Sequence, residues 1–128
     1  MGLPMRVLIA DDRPRSRDGL RALLATVRLS AHGEAWPEVE VVGEAADGEE
    51  AVRLVEECRP DVVLMDVRMP AMDGLEATRF IKGRWPEVKV IVLTMYATYR
   101  AEALAAGADA FLVKGCPAEE LLEAILDH

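Results

Sequence analysis

The chain is expected to fold as an α/β domain: a parallel five-stranded sheet covered by helices on both faces. Two patterns lead there. Strand-like and helix-like segments alternate five times along the 128 residues. The strand-like segments also lack polar alternation, as strands buried on both faces do. Strands separated by helices imply right-handed βαβ crossovers and parallel pairing. The length suits one domain with a real core, and residues 1–128 are expected to form it.

The elements follow in order. Arg6 to Ala10 (RVLIA) reads as the first strand. Arg15 to Leu29 places Leu20, Leu23, Leu24 and Val27 at helical spacing. Val39 to Gly43 (VEVVG) is the second strand. Asp47 and Glu50 form a capping-box pattern in front of a helix carrying Ala51, Leu54 and Val55 and ending before Pro60. Asp61 to Met65 is the third strand. Asp73 and Glu76 repeat the capping box, and Leu75, Ala77, Phe80 and Ile81 supply the next apolar face. Lys89 to Leu93 is strand four. Ala101 to Ala106 is a short helix stopped by Gly107. Ala110 to Val113 is strand five. Pro117 suits a first helical position, with Cys116 as a weak N-cap, Glu119 in the capping-box place, and Leu121, Leu122, Ile125 and Leu126 facing the core. Residues 30 to 37 (SAHGEAWP) make a long first helix-to-strand connection.

Composition excludes several classes. Acidic residues outnumber basic ones 23 to 15, a formal charge of −8, so no direct nucleic-acid binding is expected of this domain. No apolar run has the length of a membrane span, and the N-terminus lacks a signal-peptide pattern. A cytoplasmic location is expected. Cys58 and Cys116 are far apart with no CxxC pattern, as expected of free thiols in a reducing compartment. His32 and His128 match no ligand spacing.

The chemistry sits at the strand ends. Strand one ends in Asp11-Asp12, strand three in Asp66, strand four in Thr94 and strand five in Lys114. In a parallel sheet these ends share one edge, where ligands bind at the switch of strand order. With a flavodoxin-like (βα)5 sandwich and strand order 2-1-3-4-5, strands one and three are neighbours and the three acids converge. Three carboxylates in one pocket repel, and one takes up a proton unless a cation intervenes. Mg²⁺, with its preference for carboxylate, water and phosphate oxygens, resolves this. A carboxylate nucleophile with a metal and a lysine suits phosphoryl transfer. Singly, each residue has a bland explanation: Asp11 and Asp12 as caps, Asp66 as a loop acceptor, Thr94 as a β-branched strand end, Lys114 as a solvated lysine. Their joint placement favours function.

The segments "VLIADD", "DVVLMDVRMPAMDG", "VIVLT" and "GADAFLVK" come in an order that resembles the receiver domain of bacterial two-component response regulators. "VEVVGEAADGEEAV" and "KGCPAEELLEAI" resemble the LuxR/NarL-type subgroup, which carries a C-terminal helix-turn-helix DNA-binding domain. The resemblance implies roles. Asp66 would be the phosphoacceptor. Asp12 would bind Mg²⁺, aided by Asp11, Asp66 and the Arg68 backbone carbonyl. Lys114 would pair with the phosphoryl oxygens, Thr94 would swing to hydrogen-bond them, and Phe111 would be the aromatic switch. Arg68, Met95 and Tyr96 would tune access and hydrolysis. The implied partners are a sensor histidine kinase or phosphotransfer protein, a second copy in a homodimer, and a DNA-binding output domain outside this chain, with no membrane. Such a domain catalyses only its own phosphotransfer and dephosphorylation.

Three positions depart from the family's pattern. Gly115 replaces the common proline after the lysine, so a trans bond is expected, since cis without proline costs roughly 3 kcal/mol. Met95 stands where a small residue is common and would narrow access. The 30–37 connection reads as a surface insertion, with Trp36 available for a partner. Two rival readings stay open. One is a Mg²⁺-dependent phosphatase of the haloacid dehalogenase type, although that class carries DxD after strand one and this chain has "DDRP". The other is a phosphate-independent interaction module, although such modules usually lose an acid or the lysine.

Overall fold

The computed structural model describes residues 3–26 and 38–127. The 30–37 connection, with His32 and Trp36, and the helical positions Val27 and Leu29 lie outside them, as does His128. Five strands run β1 (Met5–Ala10), β2 (Val39–Ala45), β3 (Val62–Met65), β4 (Lys89–Thr94) and β5 (Ala110–Val113). The helices between and after them are α1 (Pro14–Thr26), α2 (Gly48–Cys58), α3 (Gly74–Arg84), α4 (Arg100–Ala105) and α5 (Ala118–Leu126). A 3₁₀ turn at Ala97–Tyr99 leads into α4. The sheet order is β2-β1-β3-β4-β5, and every pairing is parallel. This is the flavodoxin-like fold.

The absence of polar alternation has a direct cause in the packing. Successive strand residues point to opposite faces, and both faces are covered. Leu8, Ala10, Val63, Met65, Val90 and Val92 pack under α2 and α3 with Ala51, Val55, Ala77 and Ile81. Val7, Ile9, Val62, Leu64, Ile91 and Leu93 pack against α1 and α5 with Leu24, Leu121, Leu122 and Ile125. Each fully buried Leu or Ile contributes roughly 1.5–3 kcal/mol relative to exposure, so the sheet is rigidly held between two apolar layers.

Four local expectations need amendment. β2 runs on to Ala45 because β1 keeps pairing with it: the register shifts between Val7 and Leu8, then continues to Ala10↔Ala45. Asp47 accepts from the Glu50 N–H at 2.8 Å, while the Glu50 carboxylate returns to the Ala46 N–H at 2.9 Å, one residue before the cap. Pro117, with extended ψ, is itself the N-cap of α5 rather than its first helical residue, so Cys116 lies outside the helix and Pro117 has no side-chain donor or acceptor to cap with. Phe80 is 47% exposed. At roughly 100° per residue it falls outside the arc holding Leu75, Ala77, Thr78 and Ile81. Trp85 takes the core place instead, with Phe80 beside it at 6.4 Å between ring centroids.

The loop after β3 is held by a close approach. A Cβ on Gly74 would stand 1.7 Å from the Asp66 carbonyl oxygen, and the Gly74 N–H donates to the Val67 carbonyl at 2.8 Å. Asp73 caps α3 by accepting from the Glu76 N–H at 2.9 Å. The first turn of α3 is therefore clamped to the backbone of Asp66. Gly74→Ala should destabilise the fold by about 2 kcal/mol or more, because backbone rather than a flexible side chain must move. Gly19→Ala, in mid-α1 with nothing within 4 Å of the added Cβ, should stabilise by up to about 1 kcal/mol. Urea unfolding of both variants reads the contrast.

Candidate functional site

Register brings the polar residues together. Ala10 pairs with Met65, and the chain continues from both: the Asp66 N–H donates to the Ala10 carbonyl at 2.9 Å and the Asp11 N–H to the Ala45 carbonyl at 2.9 Å. Thr94 pairs with Val113, and the Lys114 N–H donates to the Thr94 carbonyl at 2.8 Å. The four strand ends therefore lie along one edge of the sheet.

Lys114 joins two of the acids. Its Nζ is 2.6 Å from Asp11 Oδ2 and 2.9 Å from Asp66 Oδ2. Asp11 is 1% exposed and Asp66 7% exposed, so the ammonium neutralises carboxylates that water barely reaches. Asp11 accepts further bonds, from the Arg13 N–H to Oδ1 at 2.9 Å and from the Ser16 hydroxyl to Oδ2 at 2.6 Å. Asp66 Oδ1 accepts from the Val67 N–H at 2.8 Å. Asp12 is exposed, and its carboxylate has no hydrogen-bond or ion-pair partner among the described residues. Oxygens from Asp11, Asp12 and Asp66 lie within 4.8 Å of one another. An all-oxygen donor set with one unengaged acid fits a hard divalent cation such as Mg²⁺.

Thr94 is fully buried, and its Oγ1 accepts from the Tyr96 N–H at 3.4 Å, within its own loop. Phe111 is 8% exposed, and the Arg100 guanidinium lies 5.9 Å from its ring centroid. Met95 is exposed, and Arg13 donates to its sulfur at 3.5 Å. The Arg68 guanidinium lies 4.0 Å from the Tyr96 ring centroid and donates to the Tyr99 hydroxyl at 3.3 Å. That stack ties the β3–α3 loop to the β4–α4 loop. A cleft beside Asp12 is lined by Arg68, Met69, Asp73, Tyr99 and Glu102. The Lys114–Gly115 bond is trans, and Gly115 has φ +93°, a left-handed conformation that glycine adopts without a steric cost.

Three residues at the site carried no sequence signal. Ser16 reaches Asp11 from the first turn of α1. Arg17 donates to the Asp11 carbonyl at 2.6 Å and pairs with Glu44 at 3.1 Å. Tyr99 meets Arg68 across 31 positions of sequence. Only the crossing of separate elements defines these pairs.

Burial pushes the Asp11 carboxyl up, but hydrogen bonds from Lys114, Ser16 and the Arg13 N–H outweigh it, and the group sits below the ordinary aspartate value. Burial likewise pushes Lys114 down, but Asp11 and Asp66 outweigh it, and the ammonium sits above the ordinary lysine value. Burial, with Glu120 second, pushes the Cys116 thiol up, away from reactivity.

The sequence matches the response regulator receiver domain family over residues 7–126. The chain belongs to this family. It is 41% identical over 123 residues to the transcriptional regulatory protein DegU of Brevibacillus brevis, covering 94% of this chain and 48% of DegU. The fold is similar to a LuxR-family two-component response regulator from Aurantimonas sp. SI85-9A1, with TM-score 0.82 and 34% identity over 96% of this chain and 83% of that one. It is also similar to a chain of the CheX–CheY–BeF3–Mg²⁺ complex from Borrelia burgdorferi, with TM-score 0.80 and 27% identity over 97% and 88% of the two chains. The receiver domain spans about half the length of the curated relatives it matches. Among its described residues, no helix is long and apolar enough to cross a membrane.

The ion pair sets a pH dependence for this receiver in metal-free buffer. Asp11 is depressed in the fold, so its contribution is full above the unfolded value near pH 4. It is lost as pH falls through the lower folded value. Lys114 is raised, so its contribution is full below about pH 10 and is lost as pH rises through the higher folded value. The acid limb of stability, followed by denaturant unfolding from pH 5 downward, should be shallower in Asp11→Asn than in the parent. Equal slopes would place the acid-sensitive group elsewhere.

Proposed function

We propose that this receiver domain is a phosphorylation-activated switch, in which Asp66 takes a phosphoryl group from the phosphohistidine of a sensor kinase or phosphotransfer protein. The observation that carries the reading is Lys114 bridging Asp11 and Asp66 while Asp12, without a partner among the described residues, stands beside them. Asp66 is held by β3 at the floor of the site, with its backbone locked to Ala10 and Gly74. Its carboxylate oxygen attacks phosphorus in line. The new P–O bond forms as the P–N bond to the histidine breaks, and the imidazole leaves with the electron pair. Asp12, Asp66 and the Arg68 carbonyl, aided by Asp11, would hold Mg²⁺. When bound, the ion neutralises charge on the transferring phosphoryl group.

The aspartyl phosphate adds about −1.5 to −2 charges to the pocket. Lys114 gains a stronger partner than either carboxylate. Thr94 exchanges its bond with the Tyr96 N–H for donation to the phosphoryl group. The β4–α4 loop follows Thr94, and Phe111 packs behind it. That shifts the population between two arrangements of the α4–β5–α5 face. Arg68, Met95 and Tyr96 border the entrance and set how readily water reaches the phosphoryl group. The altered face would control dimerisation or a DNA-binding output domain outside this chain, in keeping with relatives that are transcriptional regulatory proteins. Cys58 and Cys116 are both free thiols, which fits a reducing, cytoplasmic setting.

Receiver domains of response regulators are signalling switches rather than turnover enzymes, so the family match argues against the phosphatase reading. The intact acids and lysine argue against a phosphate-independent module. Incubation with Mg²⁺ and acetyl phosphate should add one phosphate to the chain by intact-protein mass spectrometry, and none to Asp66→Asn. No adduct on the parent chain, or an equal adduct on the variant, would overturn the proposal.

A further inference from the structure

We infer that Ser16 is a positioning residue that lets Lys114 leave Asp11, by keeping the buried Asp11 oxygen hydrogen-bonded when the ammonium moves to the phosphoryl group. The inference deepens the phosphoacceptor reading of Asp66 and rests on it.

The argument starts from one oxygen. Asp11 Oδ2 accepts from two donors, the Lys114 ammonium at 2.6 Å and the Ser16 hydroxyl at 2.6 Å. Oδ1 is occupied separately by the Arg13 N–H. The Asp11 side chain is 2% exposed, so without a bound metal water is no ready replacement for a departing donor. A buried carboxylate oxygen stripped of its partner carries a full desolvation penalty. Lys114 therefore faces a cost in leaving Asp11 that is distinct from its gain at the phosphoryl group. Its departure from Asp66 carries no such cost, because the phosphoryl group forms on Asp66 itself.

Ser16 removes most of that cost. Its hydroxyl already sits on the same oxygen before the ammonium goes. It is placed there by the first turn of α1, a segment fixed independently of Lys114. The next residue, Arg17, grips the Asp11 carbonyl at 2.6 Å and is anchored by Glu44 at 3.1 Å. So α1 holds Asp11 by both side chain and backbone. Asp11 stays in place while Lys114 transfers.

The test uses Ser16→Ala and Ser16→Thr. Alanine favours the helix and should leave folding intact. Thr keeps the hydroxyl. The first readout is spectroscopic and needs neither metal nor phosphate: the ¹⁵N-labelled Lys114 ammonium signal by NMR. In Ser16→Ala the ammonium is the only remaining donor to Asp11 Oδ2 among the described residues, so its hydrogens should exchange with water several-fold more slowly than in the parent. Ser16→Thr should restore the parent rate. The second readout is labelling by acetyl phosphate with Mg²⁺. The saturating rate should fall about tenfold in Ser16→Ala, equivalent to about 1.4 kcal/mol, with half-saturation by acetyl phosphate unchanged. Ser16→Thr should recover it. Parent-like exchange and parent-like saturating rate in Ser16→Ala would overturn the inference and leave the phosphoacceptor reading standing. A change in half-saturation alone would also overturn it, because it would place Ser16 at the donor rather than at Asp11. No labelling of the parent chain would overturn both.

Discussion

The structure turns on one ammonium group between two buried carboxylates. Asp11 and Asp66 end adjacent strands, and nothing in the sheet separates their charges. Lys114, delivered from β5, lies within 3 Å of both. Its own burial disfavours the charge, and the two acids restore it. The same proximity that makes the pair stable makes it responsive. Under the proposed function, a new anion on Asp66 would change the best position for the ammonium and so bear on the elements that carry its partners.

The elements around this centre differ in stiffness for physical reasons. β3 is buried on both faces, and Val62 to Met65 are at most 1% exposed. Asp66 is further pinned by the close approach of Gly74. The loop after β4 is different. Met95 and Tyr96 are exposed, and the turn at Ala97–Tyr99 has no side-chain cap. It is tied back through Arg68, stacked on Tyr96 and bonded to Tyr99, and through Arg13 on the Met95 sulfur. A rigidly placed Asp66 beside a largely exposed loop would suit the switch proposed above.

Much of this was legible because it depends on local pattern. The doubly buried strands showed as unbroken apolar runs, and their polar ends fell at Asp11, Asp66, Thr94 and Lys114. Asp47 and Asp73 cap their helices as the capping-box spacing implies. Phe80 departs from its expected core place because apolar character alone does not put a residue on the buried arc of the helix, and Trp85 fills the site instead. Pro117 stands one residue earlier relative to α5 than its usual first-turn place, since proline suits both a cap and a first turn. Ser16, Arg17 and Tyr99 were invisible because a serine, an arginine and a tyrosine on helices and turns have many ordinary uses.

Sequence alone therefore determined the order of strands and helices, the polar residues at the ends of β1, β3, β4 and β5, and the family resemblance. The elements follow from periodicity of two or 3.6 residues, and the family resemblance from motifs in separate segments that come in the family's order. Only the tertiary structure decided that one oxygen of Asp11 is shared by Lys114 and Ser16, that Asp12 has no partner among the described residues, and that Arg68 bridges two loops. Those facts depend on the register between strands and on which helix crosses which sheet edge. Residues 5 and 103 positions from Asp11 meet on the same atom, and no local pattern encodes that meeting.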